Sequence, residues 1–265
     1  MSSLPSPLTA NSLTDKSLAE ASLTEKKAVE QVSFNIIANV NSPYKEKFAI
    51  PRQPGLVSAA KGSITLLNDV NVAETVRGLE QFSHIWLLFI FHATQDQGWK
   101  PLVRPPRLGG NKKLGVLATR STFRPNPIGM SVVKLDSISY DKNQVNLHIS
   151  GLDLLDGTPI IDIKPYIPYS DNINDAQAGF AQTPPQNDLT VTFDKSAQFN
   201  LQEHQKTQPE LATLITQVLA QDPRPAYKKN KEEDNNIYGI RLYDLNIKWR
   251  LISTSHIEVV DISLY

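Results

Sequence analysis

Six basic residues, Arg104, Arg107, Lys112, Lys113, Arg120 and Arg124, fall between Arg104 and Gly129 with four prolines and no acid. Across Gly98–Leu135 the balance is eight Lys/Arg to no Asp or Glu, in a chain that sets 27 basic against 27 acidic residues. A local positive field in a neutral chain points to an anionic partner met at one place. The interleaved Pro and Gly fix backbone direction, so these loops read as shaped sites and not as solvated charge runs. Three further loops carry reactive or binding side chains. SPYKEKFAIPRQPG, Ser42–Gly55, presents Lys45, Lys47, Arg52 and Gln53 on a proline-stiffened path. LDLLDGTP, Leu152–Pro159, places a carboxylate before a turn glycine at Asp156-Gly157 and runs on into IDIKPY, Ile161–Tyr166. QDPRPAYKK, Gln221–Lys229, joins Arg224, Lys228 and Lys229 to Tyr227. Guanidinium groups bind carboxylates and phosphates through parallel bonds, and a turn carboxylate accepts from hydroxyl or ammonium donors. An aromatic ring stacks on an exposed base.

Several chemistries are excluded. Without cysteine there are no disulfides, thiolate zinc sites, iron–sulfur clusters or cysteine nucleophile. Neither the dinucleotide-binding glycine fingerprint nor a P-loop occurs. The five histidines lack ligand spacing: His84 and His92, on one predicted strand, would lie roughly 26 Å apart. No metal is expected. The 40% hydrophobic and 20% charged content is ordinary for a soluble chain. The longest apolar run, Ile85–Phe91, is too short to span a bilayer, and the N-terminus lacks the regions of a secretory signal. A cytoplasmic protein without membrane contact is expected.

The elements that must position these loops are short strands. β-like runs occupy Phe34–Val40, Ser63–Leu67, His84–Phe91, Leu114–Thr119, Met130–Tyr140, Val145–Ser150 and Pro159–Ile163, with one helical turn at Val72–Val76. Their spacing predicts a barrel or folded sheet rather than a βαβ series. A polar stretch near residues 171–188, with Pro184-Pro185, reads as a linker. Beyond it come a strand, Leu189–Phe193, and a helix, Pro209–Leu219, with Leu211, Leu214, Ile215, Val218 and Leu219 on one face. Three more strands follow at Ile237–Tyr243, Ile247–Ile252 and Ile257–Ile262. The expected organisation is an extension at 1–31, disordered or weakly helical, a barrel domain at 32–172, and a small α+β domain at 189–265.

The quoted motifs, with VRGLEQFSHIWLLFIFH (Val76–His92) and RPPRLGGNKKLGVLATRSTFRPNPIGMS (Arg104–Ser131), resemble the TsaA-like family, specifically the bacterial TrmO-type tRNA methyltransferases. The resemblance covers the chain from Phe34 onward. It implies a mainly β fold, a single-sheet antiparallel β-barrel binding S-adenosylmethionine plus the small α+β domain. It also implies homodimers and N6-methylation of threonylcarbamoyladenosine beside the anticodon of threonine tRNAs. The family's cofactor site maps onto Pro51, Arg52, Gln53, His92, Ala93, Arg120, Met130, Leu155, Asp156, Gly157 and Thr158. Ala93 stands where related sequences often carry Gln, leaving only a backbone contact there. Every mapped position precedes residue 159, so a barrel fragment ending near Ile173 is expected to keep the cofactor site. RNA phosphates are expected to meet Lys45, Lys47, Arg104, Arg107, Lys112, Lys113 and Arg124, with Arg224, Tyr227, Lys228 and Lys229 reading from the small domain.

Methyl transfer is an in-line displacement whose barrier falls mostly through positioning and electrostatics. The acceptor nitrogen, between a purine and a carbonyl, is more acidic than a simple amine, and no catalytic base is assigned. Two alternatives stay open: a non-catalytic RNA-binding barrel, and a methyltransferase for a small anionic metabolite. Cofactor binding separates the first from an enzyme. Dependence on the second domain separates a tRNA enzyme from the other.

Overall fold

The computed structural model describes residues 31–185, 189–224 and 236–265. The chain divides into two units, Met1–Phe34 and Asn35–Tyr265, and the two main sheets lie in the second. Strands β1 (Ala38–Asn41), β2 (Lys61–Leu66) and β3 (His84–Ile90) precede a two-stranded ribbon of β4 (Leu102–Val103) and β5 (Leu114–Gly115). Strands β6 (Ile128–Asp141), β7 (Gln144–Ser150) and β8 (Pro159–Pro165) follow. The barrel closes in the order β1-β2-β7-β6-β3-β8, every pairing antiparallel.

Side-chain alternation explains which face turns inward. On β3, Ile85, Leu87 and Phe89 are buried in the barrel, while Trp86, Leu88 and Ile90 are half-buried outside. A strand apolar on both faces needs cover on both. On β6, Gly129, Ser131, Val133 and Leu135 are buried, whereas Met130 and Lys134 face out. A Cβ at Gly129 would collide with the Phe89 and Phe91 rings, which meet edge to face at 5.2 Å, so only glycine fits there. A register shift between Leu135 and Ser137 bends β6 around the barrel. The outer wall has two characters. Across β1, β2 and β7, Asn41 donates to Thr65 Oγ1 (3.1 Å) and Thr65 donates to Asn146 Oδ1 (2.9 Å). Across β3 and the first half of β6 it is apolar, with Trp86, Leu88, Ile90, Met130 and Val132, and it turns polar at His84, Lys134 and Asp136.

The C-terminal sheet contains β9 (Thr190–Phe193), β10 (Ile237–Leu242), β11 (Leu245–Ser253) and β12 (His256–Leu264) in the order β10-β11-β12-β9. Only the β9–β12 pairing is parallel, and the helices Lys195–Gln205 and Leu211–Leu219 lie between β9 and β10 in the chain. Helix Leu211–Leu219 buries the five apolar residues its periodicity marks.

Two expectations need correction, and one helix was not foreseen. The run Leu114–Thr119 pairs only at Leu114–Gly115, because Val116–Ala118 turns into a 3-10 helix closed by Thr119 Oγ1 donating to Val116 O (2.8 Å). The first strand starts at Ala38, where pairing with Leu66 and Ile160 begins. Helix Lys195–Gln205, capped by Asp194 Oδ1 accepting from the Ala197 amide (2.7 Å), buries only Ala197 and Leu201 and so left little apolar periodicity to read.

Barrel and C-terminal sheet share a continuous apolar core. Their junction is a backbone seam: Tyr44 bridges to Leu242, and the Tyr243 amide donates to Pro43 O (2.8 Å). Gln217 on the second helix accepts from the Ala59 amide (3.0 Å) and donates to Ser58 Oγ (3.1 Å).

Candidate active site

The barrel register brings the Ser42–Ala60, Phe91–Pro127 and Gly151–Thr158 connections out at one end. Hydrogen bonds tie them together. The Gly55 amide donates to Gly151 O (2.8 Å), and Gly151 occupies φ +73°. Arg120 Nη1 donates to Gln53 Oε1 (2.6 Å). The Asp156 amide donates to Tyr44 O (2.9 Å), and Asp156 returns Oδ1 to the Ser42 amide (2.8 Å) and Oδ2 to Lys45 Nζ (2.7 Å). Gly157 takes φ +74°, as the expected turn requires.

A second carboxylate stands deeper. Asp153 accepts from Ser131 Oγ at 2.6 Å, and Ser131 is 2% exposed. Burial raises the Asp153 pKa to about 6, against the opposing pull of Ser131, its own amide and Arg120. The same carboxylate acts on Tyr44, whose fully buried hydroxyl has no hydrogen-bond partner among the described residues. Burial, then Asp153 and Tyr243, push the Tyr44 pKa far up. Sequence reasoning missed all three residues. LDLLD holds two carboxylates, and the one before glycine carried the recognisable turn; nothing local marks Ser131 or Tyr44 as its neighbours.

The expected cofactor residues gather at this mouth to different degrees. Pro51 and Thr158 are buried, with Thr158 Oγ1 donating to Leu155 O (2.6 Å). Gln53, Leu155 and Asp156 are half-buried. Arg52 lies in the field of Asp222 from the second domain; partial desolvation lowers its pKa and the Asp222 carboxylate opposes that shift. His92 opens the turn after β3, beside Phe91, whose amide donates to Pro127 O (2.8 Å), and Ala93 is exposed next to it. Met130 points outward and is 52% exposed, opposite Leu88.

The expected RNA contacts separate into three groups. Lys47, Arg104, Lys112 and Lys113 are exposed and in no ion pair among the described residues. Lys45, Arg107 and Arg124 are engaged internally: Lys45 with Asp156, Arg107 with Thr183, and Arg124 Nη1 with Thr119 O (2.6 Å). Arg124 therefore shapes the loop that presents Arg120. Arg224 corrects its expected role, since it is 5% exposed and grips Asp222 through Nε (2.8 Å) and Nη2 (2.9 Å). Tyr227, Lys228 and Lys229 lie outside the described residues.

A groove of about 610 Å³ between the barrel wall and helix Leu211–Leu219, lined by Lys61, Lys134 and Glu210 among others, includes none of the expected cofactor residues. Among the described residues no group of three His, Asp or Glu could hold a metal, and no helix is long and apolar enough to cross a membrane.

The family model for the tRNA-methyltransferase O N-terminal domain matches residues 39–172, and that for the TrmO C-terminal domain matches 186–264. The chain belongs to the tRNA-methyltransferase O family. A curated tRNA (adenine(37)-N6)-methyltransferase of Escherichia coli is 52% identical over 82% of this chain and 92% of its own. A putative S-adenosylmethionine-dependent methyltransferase of Pseudomonas aeruginosa is 47% identical over 87% of this chain and 97% of its own. A crystal structure of TrmO from Pseudomonas aeruginosa superposes with a TM-score of 0.75 at 41% identity, covering 89% of this chain and all of that one. The barrel mouth fits S-adenosylmethionine by its donor set. Arg120 has guanidinium donors to spare beside Gln53, suited to an α-carboxylate. Asp153 offers a carboxylate, and the unpartnered Tyr44 hydroxyl is a buried polar group with capacity left.

Proposed function

We propose that this chain methylates N6 of adenine 37 in tRNA with S-adenosylmethionine bound at the barrel mouth. The observation that carries the reading is the hydrogen bond of Arg120 to Gln53 beside the Asp153 carboxylate, on a connection that also carries exposed Arg104, Lys112 and Lys113. The names of the relatives agree with it. The bound cofactor supplies an activated methyl group. The protein's part is positioning: Gln53 fixes the Arg120 guanidinium, Asp156 pins the Ser42–Lys45 loop, and Arg124 holds the Thr119 carbonyl beneath Arg120. Rigid placement of this kind is what an in-line displacement needs.

Within this reading the substrate is the threonylcarbamoyl-modified adenosine of threonine tRNAs. That modification adds a carboxylate to the base, which suits the excess of exposed guanidinium and ammonium groups around the mouth. The working unit is a homodimer in the cytoplasm. Support for the dimer is the outer stripe of Trp86, Leu88, Met130 and Val132, apolar on an outward barrel face. The test is methylation in vitro with radioactive cofactor. Threonylcarbamoyl-modified tRNA is expected to be labelled and the unmodified transcript not; equal labelling of both would overturn the substrate assignment, and no labelling the function.

A further inference from the structure

The Leu152–Thr158 segment carries two carboxylates that are used differently. Asp156 commits one oxygen to the Ser42 amide and the other to Lys45. Among the described residues Asp153 accepts only from the Ser131 hydroxyl and its own amide, and a carboxylate has room for about four donors. Arg120 lies close enough for its charge to act on Asp153, yet no ion pair joins them, because Arg120 turns toward Gln53. The buried Tyr44 hydroxyl, lacking a hydrogen-bond partner, lies in the field of the same carboxylate. A largely desolvated charge without a counter-charge is costly. A cation and an anion kept near each other but unpaired, at the mouth of a barrel, complement a ligand that carries one charge of each sign.

We propose that Asp153 receives the α-ammonium of the cofactor's amino acid end while Arg120 takes its α-carboxylate. The assignment rests on the reading that this mouth binds S-adenosylmethionine. An ammonium donates the hydrogen bonds that the open Asp153 oxygen lacks, which a sulfonium cannot do. Ser131 is then a positioning residue that aims the carboxylate.

Calorimetry on the full chain tests this with S-adenosylhomocysteine, which has no sulfonium, and with its analogue carrying a hydroxyl in place of the α-amino group. Asp153→Asn should weaken S-adenosylhomocysteine roughly ten- to a hundredfold, the loss of a charge-assisted hydrogen bond, and leave the hydroxy analogue nearly unchanged. Ser131→Ala should lose in the same selective way, and serves as the probe if Asp153→Asn does not fold. An equal loss for both ligands would make Asp153 a structural prop and overturn the assignment, as would no loss for either. Failure of the wild-type chain to bind either compound would instead remove the cofactor reading on which the assignment rests.

Discussion

At the scale of single residues, the two neighbouring carboxylates make opposite predictions. Asp156 holds the Ser42 amide and Lys45 in place, so Asp156→Ala is expected to cost stability as well as cofactor affinity, by about 1–3 kcal/mol in unfolding free energy. Chemical denaturation with and without S-adenosylmethionine separates the two losses, and unchanged stability would show that the lock is idle. Asp153 behaves the other way. Its folded-state pKa is raised to about 6 by burial, so the folded protein holds that proton more tightly than the unfolded chain. The stabilisation from protonation is fully present below the ordinary carboxylate pKa and is lost as pH rises through about 6. At pH 8 the ionised group is a liability, and Asp153→Asn should stabilise the fold by ~1–2 kcal/mol after allowance for partial exposure. That gain should fade toward pH 5. Thermal unfolding at both values measures it, and a gain independent of pH would exclude this source. The loops of the candidate site were legible from composition, because Pro, Gly and Arg mark shaped, positively charged connections. Asp153 was not, since burial and the company of Ser131 and Tyr44 arise only when β6 and the Ser42 loop close over it.

Elements built from strong periodicity were read well. The helix Leu211–Leu219 and strands β6, β7 and β10–β12 follow their apolar patterns. Strand β4 and the helix Lys195–Gln205 were not read, since one pairs over two residues and the other buries only Ala197 and Leu201. That helix depends on its cap: Asp194→Ala should cost about 1 kcal/mol of stability, as loss of an N-cap commonly does. The contact between β3 and β6 is stricter. At Gly129 a methyl group has no space beneath the Phe89 and Phe91 rings, so Gly129→Ala is expected to destabilise by ~1–3 kcal/mol through overpacking. Denaturant midpoints read this directly, and a neutral outcome would mean the rings move freely.

At the scale of the whole molecule, the barrel and the C-terminal sheet are less separable than a domain map implies. A barrel fragment ending near Ile173 would lose Leu242 opposite Tyr44, Tyr243 at Pro43 and Gln217 at Ala59. These are the partners of the Ser42–Ala60 connection that carries Gln53. Arg52, in the same connection, lies in the field of Asp222, which Arg224 holds from within the second domain. The second domain therefore braces the connection that carries Gln53, and under the proposed function cofactor affinity should report the state of the junction. Gln217→Ala in the full chain leaves the Ala59 amide without its acceptor and frees Ser58, and removes no charge. We expect cofactor affinity to fall roughly fivefold, equivalent to about 1 kcal/mol, with the salt dependence of tRNA binding unchanged. Lys112 and Lys113 provide the counter-case. Replacing both with Ala should lower the slope of log affinity against log salt by about 1.4–1.8, two phosphate contacts' worth, while cofactor binding stays as in the wild type. Paired titrations of the two variants decide the matter: a Gln217 variant with wild-type cofactor affinity would mean the junction holds the domains together without informing the site.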